Sequence, residues 1–133
     1  MDAVAAYDAA AAGGDRAFLL AHLRTRLPRA AWVATRGGRI VGYAMGRDGT
    51  KAASIGPVVA DDAALAAALA AAAGRTIAGP TVIDIRDDAP GIRAFLEAAG
   101  FAAERGFTRM VLGDDPALDR IDRLYALAGP EFG

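Results

Sequence analysis

The sequence predicts a mixed α/β fold: a mostly antiparallel sheet with helices on both faces. Three observations carry that expectation. Two apolar runs, 31–35 and 40–45, flank Gly37-Gly38, the pattern of a β-hairpin. The run Thr81 to Arg86 (TVIDIR) is β-branched and mostly apolar, as a central strand requires. Helix-forming segments precede and follow it, so a β-α-β unit with a right-handed crossover adds a parallel pair to the sheet.

The elements follow in order. Val4 to Ala12 favours helix and is stopped by Gly13-Gly14. Asp15 caps a second helix, in which Phe18, Leu19, His22, Leu23 and Arg26 recur at helical spacing, and Pro28 marks its exit. After the hairpin, a third strand over 52–59 contains Gly56-Pro57. Proline donates nothing to a ladder, so a bulge or a break in pairing is expected there. Asp61-Asp62 opens an alanine-rich helix that runs to Gly74. Asp87-Asp88-Ala89-Pro90 opens another, closed by Gly100. Phe101 to Leu112 reads as one or two strands around Gly106, and Asp114-Asp115-Pro116 opens a last helix. No repeat or long linker divides the chain, so residues 1–133 are expected to form one domain.

Composition excludes several classes of function. Fifteen Lys and Arg against sixteen Asp and Glu leave a formal charge of −1, so neither nucleic acid nor an anionic membrane is an expected partner. There is no cysteine and one histidine, which rules out thiolate zinc sites, a Cys nucleophile and a poly-His metal site within one chain. No apolar stretch is long enough to span a bilayer, and the acidic start is unlike a secretory signal. A cytoplasmic location is expected.

Several strings resemble the GCN5-related N-acetyltransferase (GNAT) family, most sharply between Gly42 and Phe101. IGPVVADD followed by a helix resembles that family's fourth strand and acetyl-CoA loop. IDIRDDAPGIRAFLEAAGF resembles its fifth strand and fourth helix, closing in the Gly-Phe pair Gly100-Phe101. Gly13, Asp15, Arg16 and Leu20, the Arg109-Met110 pair and the closing AGPE look like the C-terminal GNAT-like domain of tandem bacterial acetyltransferases. The element order is the GNAT order without its first strand.

The resemblance implies an acyl-CoA-dependent N-acetyltransferase acting on a small-molecule or peptide amine. In the family, the fourth and fifth strands splay and the pantetheine arm adds to the exposed edge. Carried over, the acetyl-CoA site comprises Gly56, Val58, Val59, Ala60, Asp62, Ala63 and Ala64. Asp84, a carboxylate within the apolar VIDI, is the candidate general base; the other reading makes it a structural Asp held by loop amides. Three departures oppose the standard chemistry. The Gly-rich turn that cradles pyrophosphate is replaced by Ala60-Asp61-Asp62-Ala63-Ala64, which puts negative charge at the positive end of a helix. The family's tyrosine acid is replaced by Leu96, leaving Tyr43 and Tyr125 as other proton donors, and its asparagine by Ala89. Weak or absent acetyl-CoA binding is therefore expected, and the alternative function is a non-catalytic GNAT-like module that binds a ligand or packs against a partner GNAT domain. The absent first strand suggests a covered edge, by homodimerisation or by another domain.

Other features have plain structural readings. The three Asp-Asp pairs precede helices and are expected to cap them rather than to bind metal. His22 is expected as half-buried packing on its helix, and Arg24, Arg26 and Arg29 suit a helix C-terminus.

Overall fold

The computed structural model describes residues 1–108, 110, 112–113 and 122–132. Helix α1 (Asp2–Ala12) ends at Gly13, whose φ of 74° lets its N–H return to the Ala9 carbonyl. Helix α2 (Ala17–Arg26) begins where the Asp15 carboxylate accepts a bond from the Ala17 amide at 2.9 Å. Its buried face is Leu20 and Leu23, continued by Leu27. The predicted face was displaced: Phe18 is 89% exposed and His22 is exposed, because the leucines at three- and four-residue spacing meet the sheet instead.

Strands β1 (Trp32–Arg36) and β2 (Arg39–Arg47) pair antiparallel. Gly37 and Gly38 both have positive φ, 57° and 76°, as a two-residue turn that matches strand twist demands. Strand β3 (Ala53–Ala60) pairs antiparallel with β2, and α3 (Ala63–Gly74) carries the chain over to β4 (Thr81–Ile83), which lies parallel to β3. Helix α4 (Pro90–Ala98) and strand β5 (Leu124–Ala126) complete the α-helices and strands among the described residues. The strand order is β1-β2-β3-β4, with β5 also on β3. The result is the mixed, mostly antiparallel sheet anticipated above.

One core layer packs α3 and α4 on the sheet through Ala66, Ala70, Ala73, Ile92 and Leu96. The alanines let α3 sit close: a methyl on Gly42 of β2 would lie 2.9 Å from a Leu69 methyl and 3.0 Å from the Val59 carbonyl oxygen. The other layer holds α1 and α2 against Tyr43, Met45 and Val59. It contains a buried polar group that the sequence pattern did not disclose. Asp8 of α1 is fully buried, gripped by Arg16 through bonds of 2.6 and 3.0 Å, and accepts the Tyr43 hydroxyl at 2.5 Å. Burial, then the Asp8 charge, pushes the Tyr43 hydroxyl well above its usual pKa. For Arg16, burial works downward, but the bonds and charge of Asp8 outweigh it and raise its pKa.

Three sequence expectations are corrected. Strand β4 ends at Ile83 rather than Arg86, with a single further bridge from Ile85 to Ala126. Residues 101–108 form no strand; the last strand among the described residues lies instead at Leu124–Ala126. Asp87 and Asp88 do not cap α4: they pair with Arg93 and Arg86, and Ala89 stands at the cap. Pro90 already sets the first helical φ, and a nearby guanidinium is the stronger partner for each carboxylate. Asp62 does cap α3, accepting the Leu65 amide at 2.8 Å. Asp114, Asp115 and Arg109 fall outside the described residues.

Removing Asp8 leaves the largely buried Arg16 guanidinium without its carboxylate, so Asp8→Ala should cost about 3 kcal/mol in urea denaturation. Tyr43→Phe loses one bond to a charged group and should cost about 1.5–3 kcal/mol. Asp62→Ala should cost about 1 kcal/mol, the ordinary loss of an N-cap.

Candidate functional site

Strand β3 changes partner in mid-course. Ala53, Ser54 and Ile55 pair with Thr81, Val82 and Ile83 of β4. Then comes the expected bulge, with Gly56-Pro57 set against β2 between Ala44 and Gly46. Beyond it β3 and β4 are no longer paired with each other. This is the splay in which the GNAT resemblance places a pantetheine arm.

The gap is filled by the chain's own C-terminal segment. β5 runs antiparallel to β3, with Val58 opposite Ala126 and Val59 opposite Leu124. The Ala60 amide donates to the Arg123 carbonyl at 3.0 Å, and the Leu127 amide donates to the Asp84 carbonyl at 2.8 Å. Together with the Ile85–Ala126 bridge, these bonds tie the segment to both sides of the cleft. Gly56 makes the fit possible: a Cβ there would stand 1.8 Å from the Leu127 carbonyl oxygen. Leu124 is 2% exposed and Ala126 and Ala128 are 0% and 1%, so the insert is part of the core. Farther on, the 3-10 turn Pro130–Phe132 is tied back by an ion pair between Glu131 and Arg47 at the end of β2.

The pyrophosphate position is also engaged. The Leu65 amide at the start of α3 is already bonded to Asp62. Asp61 accepts the Tyr7 hydroxyl at 2.9 Å and faces Arg123 at 3.6 Å. Ala63 lies against Gly91, where an added Cβ would be 2.9 Å from the Ala63 methyl, so α4 closes on the same helix end. The structure thus brings Gly56, Val58, Val59, Ala60, Asp62, Ala63 and Ala64 to one edge. That edge does not fit acetyl-CoA in this form, because the Ala60 amide that a strand-like arm would use and the Leu65 amide at the helix start have other partners, and Asp61 and Asp62 place negative charge there.

A cavity of about 350 Å³ lies beside Arg86, Asp88, Gly91, Asp122 and Tyr125. The ladder shifts register between Val58 and Val59, which leaves Tyr125 as the extra residue, and Tyr125 lines this space. Burial, then the charges of Asp62 and Asp122, raise the Tyr125 pKa. Arg86 pairs with Asp88 and reaches the Leu124 carbonyl at 3.4 Å. Tyr43, the other candidate donor, is buried with Asp8 and does not line the cavity. Leu96 and Ala89, which stand where the family has polar groups, are core packing.

Asp84 sits at the end of the splay, its carbonyl used by Leu127 and its side chain half-buried. Burial raises its pKa; Arg105 and Arg47 oppose the rise and Glu131 adds to it. The segment that fills the gap was the element missed by sequence reading. Its signal was the apolar run LYALA between Asp122-Arg123 and Gly129-Pro130, too short to be distinguished from a helix end.

The rise at Asp84 has a consequence for stability. A carboxyl whose folded pKa exceeds its unfolded value favours the fold below the unfolded pKa and loses that contribution as pH rises through the folded one. Asp84→Asn should therefore raise the melting temperature at neutral pH and leave it unchanged in acid below the ordinary carboxylate range. Equal melting curves for the two proteins across the whole range would contradict this.

No match was found among curated proteins or solved structures. The sequence profile of the acetyltransferase (GNAT) domain matches residues 4–126, from α1 to the last residue of β5. With the splayed β3–β4 pair and the α3 crossover, that match over most of its length shows that the chain belongs to the GNAT acetyltransferase family.

Proposed function

We propose that this chain serves an N-acetyltransferase as a non-catalytic GNAT-fold domain, packing against a partner GNAT domain rather than transferring acetyl itself. The observation that carries this reading is β5 in the splay, where the Ala60 amide bonds to Arg123 and Gly56 abuts Leu127. An acyl-CoA thioester needs that edge for its orientation and polarisation. The engaged start of α3 and the apolar Leu96 support the same conclusion. A packing role is supported by β1, an edge strand among the described residues, on which Trp32 is 44% and Val33 48% exposed. An exposed edge flanked by large apolar side chains suits a second GNAT domain or a second copy of the chain.

The second reading is an acyl-CoA-dependent N-acetyltransferase acting on an amine. Asp84 favours it, since a half-buried carboxyl of raised pKa beside the splay is suited to take a proton from an ammonium substrate. Thermal unfolding with acetyl-CoA separates the two. Ligand at ~100 times its dissociation constant stabilises a fold by ~2.7 kcal/mol, several degrees for a domain of this size. We expect no shift at micromolar acetyl-CoA. A clear micromolar shift would reject the non-catalytic reading and restore the enzyme.

A further inference from the structure

Charge is unevenly distributed along this chain. Between Asp15 and Asp48 there are seven arginines and no acidic residue, while the rest of the chain sets eight basic residues against sixteen acidic ones. Three of the seven have carboxylate partners: Arg16 with Asp8, Arg26 with Asp48 and Arg47 with Glu131. Arg29 donates to the Thr76 carbonyl at 2.9 Å, which leaves its charge uncompensated. Arg24, Arg36 and Arg39 make no ion pair among the described residues, and these four arginines are exposed.

Three of these charges bracket one strand. Arg29 precedes β1, and Arg36 and Arg39 face each other across the turn that ends it. β1 is the outer strand on its side of the sheet, and among the described residues its backbone groups bond to nothing but β2. Its apolar side chains stand on both faces. Trp32 pairs with Ala44, on the side covered by α3, and Val33 pairs with Tyr43, on the side covered by α1 and α2. Both are half-exposed, so neither helical layer reaches far enough to cover them. A body laid against one face would cover one of the two; a strand added to the edge covers both.

We propose that β1 docks an extended, acidic segment of a partner chain as a further strand. Its apolar residues cover Trp32 and Val33, and its carboxylates meet Arg29, Arg36 and Arg39. This rests on the packing reading above and names the chemistry of the partner. Backbone bonds supply the attachment, and the charges select what attaches. They reject a second copy at this edge, since pairing β1 with β1 across a two-fold axis brings two basic edges together.

Trp32 is the single tryptophan, so its emission reports occupancy of the edge in the intact chain. The probes are two capped peptides with a Thr-Val-Thr-Val middle, one ending in aspartates and one in lysines. The aspartate peptide should shift the emission to the blue at a concentration at least about tenfold below that of the lysine peptide. Salt at about 1 M, where the Debye length is ~3 Å, should erase that difference. The aspartate peptide N-methylated at its central amides should give no shift, because strand addition needs those N–H groups. Arg36→Glu combined with Arg39→Glu, both at exposed positions, should invert the order of the two peptides. No shift with either peptide at millimolar concentration, equal shifts with both, or a shift with the N-methylated one would each overturn the proposal. So would a blue shift on raising the protein concentration alone, with a dimer mass in sedimentation, which gives the edge to a second copy. A stronger response to a single-stranded oligonucleotide than to the aspartate peptide would give it to nucleic acid and overturn the proposal as well. If the double variant does not fold, the peptides on the intact chain decide. A micromolar acetyl-CoA shift rejects the non-catalytic reading and leaves the peptide result standing, so the two failures are told apart.

Discussion

The change of partner along β3 is the constraint on which the rest of this structure depends. A strand in a sheet has two edges to satisfy, and β3 satisfies its outer edge with two different neighbours. Before Gly56 the neighbour is β4, parallel and reached through α3; after Pro57 it is β5, antiparallel and far along the chain. The Gly56-Pro57 bulge turns the backbone between these two states, and the missing side chain at Gly56 gives the Leu127 carbonyl room to enter. Unfilled, the splay would leave backbone groups of Ala60 and Asp84 without partners in a region flanked by core. The family fold creates that need; here the chain answers it with its own segment.

The opposite layer is organised by charge rather than by backbone. Asp8, Arg16 and Tyr43 join α1, the start of α2 and β2 in one buried network, and each member satisfies the others. Such a group adds little net stability over an apolar substitute but penalises any arrangement that separates its parts. It thereby fixes how the two leading helices, of low amphipathic character, lie on the sheet. Tyr7, bonded to the Val41 carbonyl and to Asp61, ties α1 to the strand end nearest the splay. The helices that cover one face thus also help to hold the acidic end of α3 in place.

Much of the architecture was legible because local chemistry dictates it. Gly37-Gly38 specifies a two-residue hairpin wherever it stands between apolar runs, and Asp62 caps α3 whatever surrounds it. The bulge at Gly56-Pro57 follows from the missing proline N–H, and the parallel β3–β4 pair from the need to cross over through a helix. Errors arose where two local solutions were nearly equal. Asp87 and Asp88 had a helix start and two arginines to choose from, and took the arginines. Phe18 and Leu20 both fit a helical period, and only contact with the sheet selected the leucine.

By itself the sequence determined the fold class, the hairpin, the crossover and the loss of the phosphate-cradling turn, since each is written in residues adjacent along the chain. The tertiary structure alone decided what fills the splay, where Asp8 finds its partners, and that Tyr125 rather than Tyr43 lines the cavity beside Arg86. Apart from the Asp8–Arg16 pair, which bridges the break between two helices, those outcomes are pairings between residues tens of positions apart. Hydrophobic pattern and turn chemistry constrain which face a residue shows, but not which distant strand edge is left wanting a partner, and it is that unsatisfied edge which draws Leu124 to Leu127 into place.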